Sequence, residues 1–178
     1  DFDENDNFYG GGEKSDLYVL PASGGNIKSG LYKNHSFKSL RVYDGFVYFI
    51  AENVRAKEED IAIGIWRHQI IDANGTLGDQ ELVMDWANDA GDYTESVPNY
   101  FTFSQDGIMM VGTDNINPIL MVDTSDGTLD VMYKGILSTS VEFLVWGTGN
   151  YLYQIKGGES WDVMRIDMGA SGAPYYGR

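Results

Sequence analysis

The stretch FKSLRVYDGFVYFIAE, residues 37–52, is two apolar or alternating runs separated by Asp44-Gly45. Such runs around an Asp-Gly pair read as a β-hairpin, because both residues tolerate the positive φ that a two-residue turn demands. The pattern returns twice. NYFTFSQDGIMMVGTD, residues 99–114, turns at Asp106-Gly107, and EFLVWGTGNYLYQIKG, residues 142–157, turns at Gly149-Asn150. One hairpin says little, but three alike define a repeat.

Each hairpin is followed by a second pair of strand-like runs. These are residues 61–71 and 81–87 after the first, 118–123 and 129–135 after the second, and 161–168 and 173–178 after the third. Four antiparallel strands, repeated, are the signature of a β-propeller blade. The second and third turns lie about 43 residues apart, within the roughly 40–50 of propeller repeats. ENVRAKEED (52–60) and ANDAGDYTES (87–96) read as the insertions that lengthen the first period, and residues 51–62 as an exposed helical turn or polar loop. DLYVLPASGG (16–25) and GLYKNHS (30–36) read as the outer strands of a preceding, incomplete blade.

The expected fold is therefore all-β, with propeller-like repeats of four-stranded antiparallel blades. About three and a half blades are present, an incomplete or fragmentary ring, since propellers close with about four to eight. Residues 1–15 are expected as an acidic, Gly-rich flexible tether and residues 16–178 as the propeller-like domain. A two-sheet sandwich built from the same hairpins is the alternative.

Composition narrows the partners. A net charge of −15 over 178 residues argues against nucleic acid and anionic membrane faces, because phosphates would be repelled. No cysteine is present, so disulfides, a thiolate nucleophile and cysteine zinc sites are excluded. No apolar run approaches the roughly 20 residues of a membrane-spanning helix. No signal peptide is recognisable, so Asp1 reads as a mature N-terminus or as the cut edge of a longer chain.

The opening DFDENDN places Asp1, Asp3 and Asn5 at alternate positions, as oxygen ligands stand in a calcium loop. The match then fails, because Asp6 stands where the turn glycine belongs and Glu13 comes one residue late. His35 and His68 are too few for a zinc cluster without carboxylates, and His68, between Arg67 and Gln69 in a strand, is expected to face solvent. The expectation is no metal and no cofactor. No G-x-S-x-G, P-loop or H-E-x-x-H motif is present, so no catalytic residue is assigned and the chain is expected not to be an enzyme.

Trp66, Trp86, Trp146 and Trp161 lie in strand-like runs and read first as core. Aromatic faces also stack on sugars. Trp146, beside GTGN, is the candidate for that role, with Asp114, Asn115 and Asn117 of GTDNINP on a connecting loop as the other ligand-binding candidates.

RIDMGASGAPYYGR (165–178), VWGTGNYLY (145–153) and the acidic start together resemble propeller-like surface lipoproteins of Bacteroidota encoded with SusCD-type outer-membrane uptake systems. In that group a lipidated cysteine precedes an Asp/Glu-rich stretch that directs the protein to the cell surface. DFDENDN resembles such a stretch, with GGG as its joint, although the cysteine itself is absent. The resemblance implies a lipid-anchored, surface-exposed accessory protein of the outer membrane. Its partners would be a TonB-dependent transporter and its lid lipoprotein, and its cargo a glycan or peptide. A free-standing glycan-binding module, or a fragment of a larger propeller protein such as a hydrolase or lyase, is the alternative.

Overall fold

The computed structural model describes residues 1–13, 16–25, 32, 34–57, 59–137, 140–156 and 162–176. The chain divides into two compact units, Asp1–Ala87 with Tyr175–Arg178, and Asn88–Pro174. This differs from the single domain expected over residues 16–178. The division falls inside a one-turn helix, α1 (Trp86–Asp89).

In the first unit, β1 (Phe8–Gly10) and β2 (Tyr18–Leu20) form a two-stranded antiparallel sheet. β3 (His35–Tyr43), β4 (Phe46–Asn53), β5 (Ile63–Ile70) and β6 (Leu77–Asp85) form a four-stranded antiparallel sheet in chain order. Asp44 and Gly45 have φ values of 46° and 74°, so the β3–β4 link is a two-residue turn with both central residues left-handed. Val47, Phe49 and Ala51 alternate along β4 onto one face, where they meet Tyr9, Leu17 and Val19 from the N-terminal segment.

That packing corrects the tether. Tyr9 is fully buried, and the carboxylate of Asp3 accepts hydrogen bonds from the Asn5 and Asn7 amides, the Asn7 side chain and the Tyr9 hydroxyl. Asp1 pairs with the buried Arg41 at 3.1 Å, and the Arg41 guanidinium lies 3.8 Å from the centre of the Tyr175 ring. An acidic run looks solvated in sequence, but here two of its carboxylates are the counterparts of buried donors.

In the second unit, β7 (Pro98–Phe103), β8 (Met109–Thr113), β9 (Ile119–Val122) and β10 (Leu129–Val131) form another four-stranded antiparallel sheet. β11 (Phe143–Trp146), β12 (Tyr151–Lys156) and β13 (Asp162–Asp167) form a sheet of three. The three hairpins read from sequence thus open three separate sheets. Only the first has a two-residue turn, since residues 104–108 and 147–150 make longer links in the others.

The fourth strand expected at residues 173–178 does not join the third sheet. Gly172 instead bridges Ser104, and the Ala173 amide donates to the Phe103 carbonyl. Pro174 has no N–H to offer a ladder, so a strand through it is disfavoured. Residues 177 and 178 lie outside the described residues, as does Trp161. Residues 51–53 finish β4, and the described residues of 54–62 form turns, bends and irregular chain rather than a helix.

Two buried tyrosines make stability depend on alkaline pH. Burial raises the pKa of the Tyr9 hydroxyl, helped by the hydrogen bond to Asp3 and its charge, and burial alone raises that of Tyr32. A group whose folded pKa exceeds its unfolded value near 10 contributes stability that is complete below that value and lost as pH rises above it. The melting temperature is therefore expected to fall steeply above about pH 10, and less steeply in Tyr9→Phe. A Tyr9→Phe profile parallel to that of the wild type would contradict this.

Candidate functional site

Sequence singled out Trp146, Asp114, Asn115 and Asn117, and the second unit keeps them apart. Trp146 ends β11 and packs on Gly172, where an added Cβ would lie 2.1 Å from the indole Cγ. Gly172 bridges Ser104, at the β7–β8 turn. Thr113 pairs with Pro98 at the opposite end of that hairpin, and Asp114 follows it. The length of β8 therefore separates the tryptophan from the polar loop, on the order of 15 Å at the usual rise per residue.

Each member also has a local role. Trp146 is 6% exposed, too buried to offer a ring face to a sugar. Asp114 accepts from the Val97 amide at 2.7 Å, and the Asn117 side chain accepts from the Gly135 amide at 2.7 Å. The Asn115 side chain accepts from the Asn117 amide. These side chains staple the loop between β8 and β9 to its neighbours.

His68 is also displaced from its expected place at the solvent face. It is buried, stacked on Phe49, and bonded at both ring nitrogens. Its Nδ1 lies 2.9 Å from the Gly78 carbonyl, which can only accept, so Nδ1 carries the proton. Nε2 then accepts from the Tyr32 hydroxyl at 2.6 Å. The pair fastens residue 32 to the sheet. Its alternation partners, Trp66 and Ile70, are partly buried, so the strand has no plainly solvated face from which His68 could have been read.

The first unit has an acidic cleft of about 460 Å³, lined by Asp3, Glu4, Asp44, Asp72, Ile70 and Tyr176 among others. Asp3 is saturated by the donors described above, and Asp72 accepts from the Asn74 and Thr76 amides. Glu4 and Asp44 are exposed. Among the described residues no group of three His, Cys, Asp or Glu is placed to hold a metal ion.

The third sheet offers a different kind of site. Phe143, Ile155 and Val163 stand opposite one another across β11, β12 and β13 and so share one face, with Val145 and Tyr153 beside them. Phe143 is 45%, Val145 37% and Val163 65% exposed. Among the described residues β13 is an edge strand, and five of its six residues are exposed. An edge presents backbone donors and acceptors to any chain able to pair with it. No sequence motif marks such a site, because being an edge depends on which strands arrive.

No protein-family model matches the chain, and no curated protein matches it. Solved structures similar to it include the following two. One is a luciferin-regenerating enzyme, 11% identical, with a TM-score of 0.47 over 90% of this chain and 74% of its own. The other is a protein of unknown function from Bacteroides caccae, 9% identical, with a TM-score of 0.46 over 88% of this chain and 55% of its own. The expectation that this chain is not an enzyme is corrected on the first of these. That structure carries an enzyme's name. At this level of likeness no activity or residue role is carried across. Among the described residues no helix is long and apolar enough to cross a membrane.

Proposed function

We propose that this chain is a propeller-like docking subunit, its four-stranded and three-stranded sheets being successive blades. In this reading it serves at the outer-membrane surface as an accessory protein of a nutrient uptake complex, beside a TonB-dependent transporter and its lid lipoprotein. One observation supports docking above all: the third sheet leaves Phe143, Val145 and Val163 exposed on one face and ends at the edge strand β13. Apolar surface of this kind is stabilised when a partner removes it from water. The transporter and the surface location rest on the family resemblance alone. The acidic opening lends them less than its composition promised, because Asp1 and Asp3 are engaged inside the fold.

The glycan-binding alternative loses its platform with the burial of Trp146. The test is affinity isolation from outer membranes at low and high salt, with the co-purifying chains identified. A TonB-dependent transporter is expected to be recovered, and more of it at low salt, because a charge of −15 steers association with basic surfaces. Recovery of the chain alone under both conditions would remove the transporter reading.

A further inference from the structure

We propose that β13 accepts a fourth strand from another protein, an extended segment with basic residues at its two ends. The inference rests on the docking reading above and names the chemistry of its partner. The chain's own sheets show what belongs at that position. β6 completes the first four-stranded sheet and β10 the second, each antiparallel to the third strand, whereas no described strand lies outside β13.

The edge can be read group by group. The Met168 amide donates to the Asn150 carbonyl in the register that pairs Tyr151 with Asp167. Backbone direction alternates along an antiparallel ladder. Asp162, Met164 and Ile166 therefore turn their backbone groups toward β12, and Val163, Arg165 and Asp167 turn theirs outward. Those outward groups recur about every 7 Å, the spacing that an added strand matches.

Side chains then select the occupant. A residue opposite Val163 extends the row Phe143–Ile155–Val163, so an apolar residue fits there. The exposed Asp162 and Asp167 close the two ends of the edge, and Arg165 lies over the Tyr151 ring at 4.5 Å. Basic residues complement those ends. A second copy does not, because self-pairing of the outward groups about Arg165 sets that arginine against itself and Val163 against Asp167, and two chains of −15 repel each other.

The probe is a capped eight-residue peptide, Lys-Lys-Thr-Val-Thr-Val-Lys-Lys, which in antiparallel register sets valine opposite Val163 and lysines opposite Asp162 and Asp167, titrated at low salt. Binding is expected, with slowed amide exchange at Val163, Arg165 and Asp167. Val163→Pro removes an outward N–H and no internal ladder bond, so it should leave the melting temperature nearly unchanged and weaken the peptide about tenfold or more. Val163→Thr, which keeps the N–H, should bind. Asp162→Lys with Asp167→Lys leaves the backbone untouched and should shift the preference to the same peptide with glutamate in place of each lysine, which covers the case in which the proline variant fails to fold. Four results would each overturn the proposal: no binding, equal binding by Val163→Pro, protection elsewhere in the chain, or dimerisation of the unliganded protein through this edge. Peptide binding together with recovery of the chain alone from membranes would keep strand addition and retire the transporter. The opposite pattern would keep the transporter and retire strand addition.

Discussion

Trp146→Ala is expected to lower the unfolding free energy by about 3–5 kcal/mol, the usual cost of truncating a buried aromatic. The indole is 6% exposed and packs on the backbone of Gly172, so removing it leaves a cavity that a glycine cannot fill. A residue that stacked on a ligand would be replaceable at little cost to stability, so the two roles predict opposite results. Urea unfolding decides between them, and a denaturation midpoint unchanged from the wild type would refute the packing. The contact can also be tested from its other side. A Cβ at Gly172 would lie 2.1 Å from the indole Cγ and 2.5 Å from its Cβ, so Gly172→Ala is expected to destabilise the wild type. In the Trp146→Ala background that penalty should largely vanish, because the added methyl then enters space already vacated. Residues in contact show such coupling, and distant ones do not.

The same contact explains part of what sequence conveyed and part of what it hid. The three hairpins were legible because alternation and turn chemistry are local, as the φ values of Asp44 and Gly45 confirm for the first. The division into sheets followed from them. The end of the third sheet was not legible, since GAPYYG contains residues that suit a strand and only Pro174 argues against one. With that segment drawn to Ser104 and Phe103, Gly172 covers Trp146 and β13 is left as an edge. A candidate ligand platform and a candidate docking edge thus exchanged places through one non-local pairing. Asp114, Asn115 and Asn117 were read as ligand groups for a related reason. A polar loop residue that bonds a neighbouring amide has the same composition as one that bonds a ligand.

Within the opening acidic run, neighbouring carboxylates are expected to differ sharply in their worth. Asp3 is 2% exposed and accepts from two backbone amides, the Asn7 side chain and the Tyr9 hydroxyl at 2.8–2.9 Å. Asp3→Ala leaves those donors without their acceptor. At about 1–3 kcal/mol for each buried group left unsatisfied, with part recovered by relaxation and entering water, the net loss should be about 3–5 kcal/mol. Asp3→Asn keeps one acceptor oxygen, yet it sets an N–H₂ against the Asn7 amide or against the backbone donors, so about 1–3 kcal/mol should still be lost. Glu4 and Asp6 are exposed in the same turn, and neutralising either should change stability by no more than about 0.5 kcal/mol. A solvated tether predicts no effect at any of the three positions. Urea unfolding of Asp3→Ala, Asp3→Asn, Glu4→Gln and Asp6→Asn in parallel separates the two pictures. Four superimposable transitions would restore the tether, whereas a loss confined to Asp3 would mean that this run is built into the core through Tyr9.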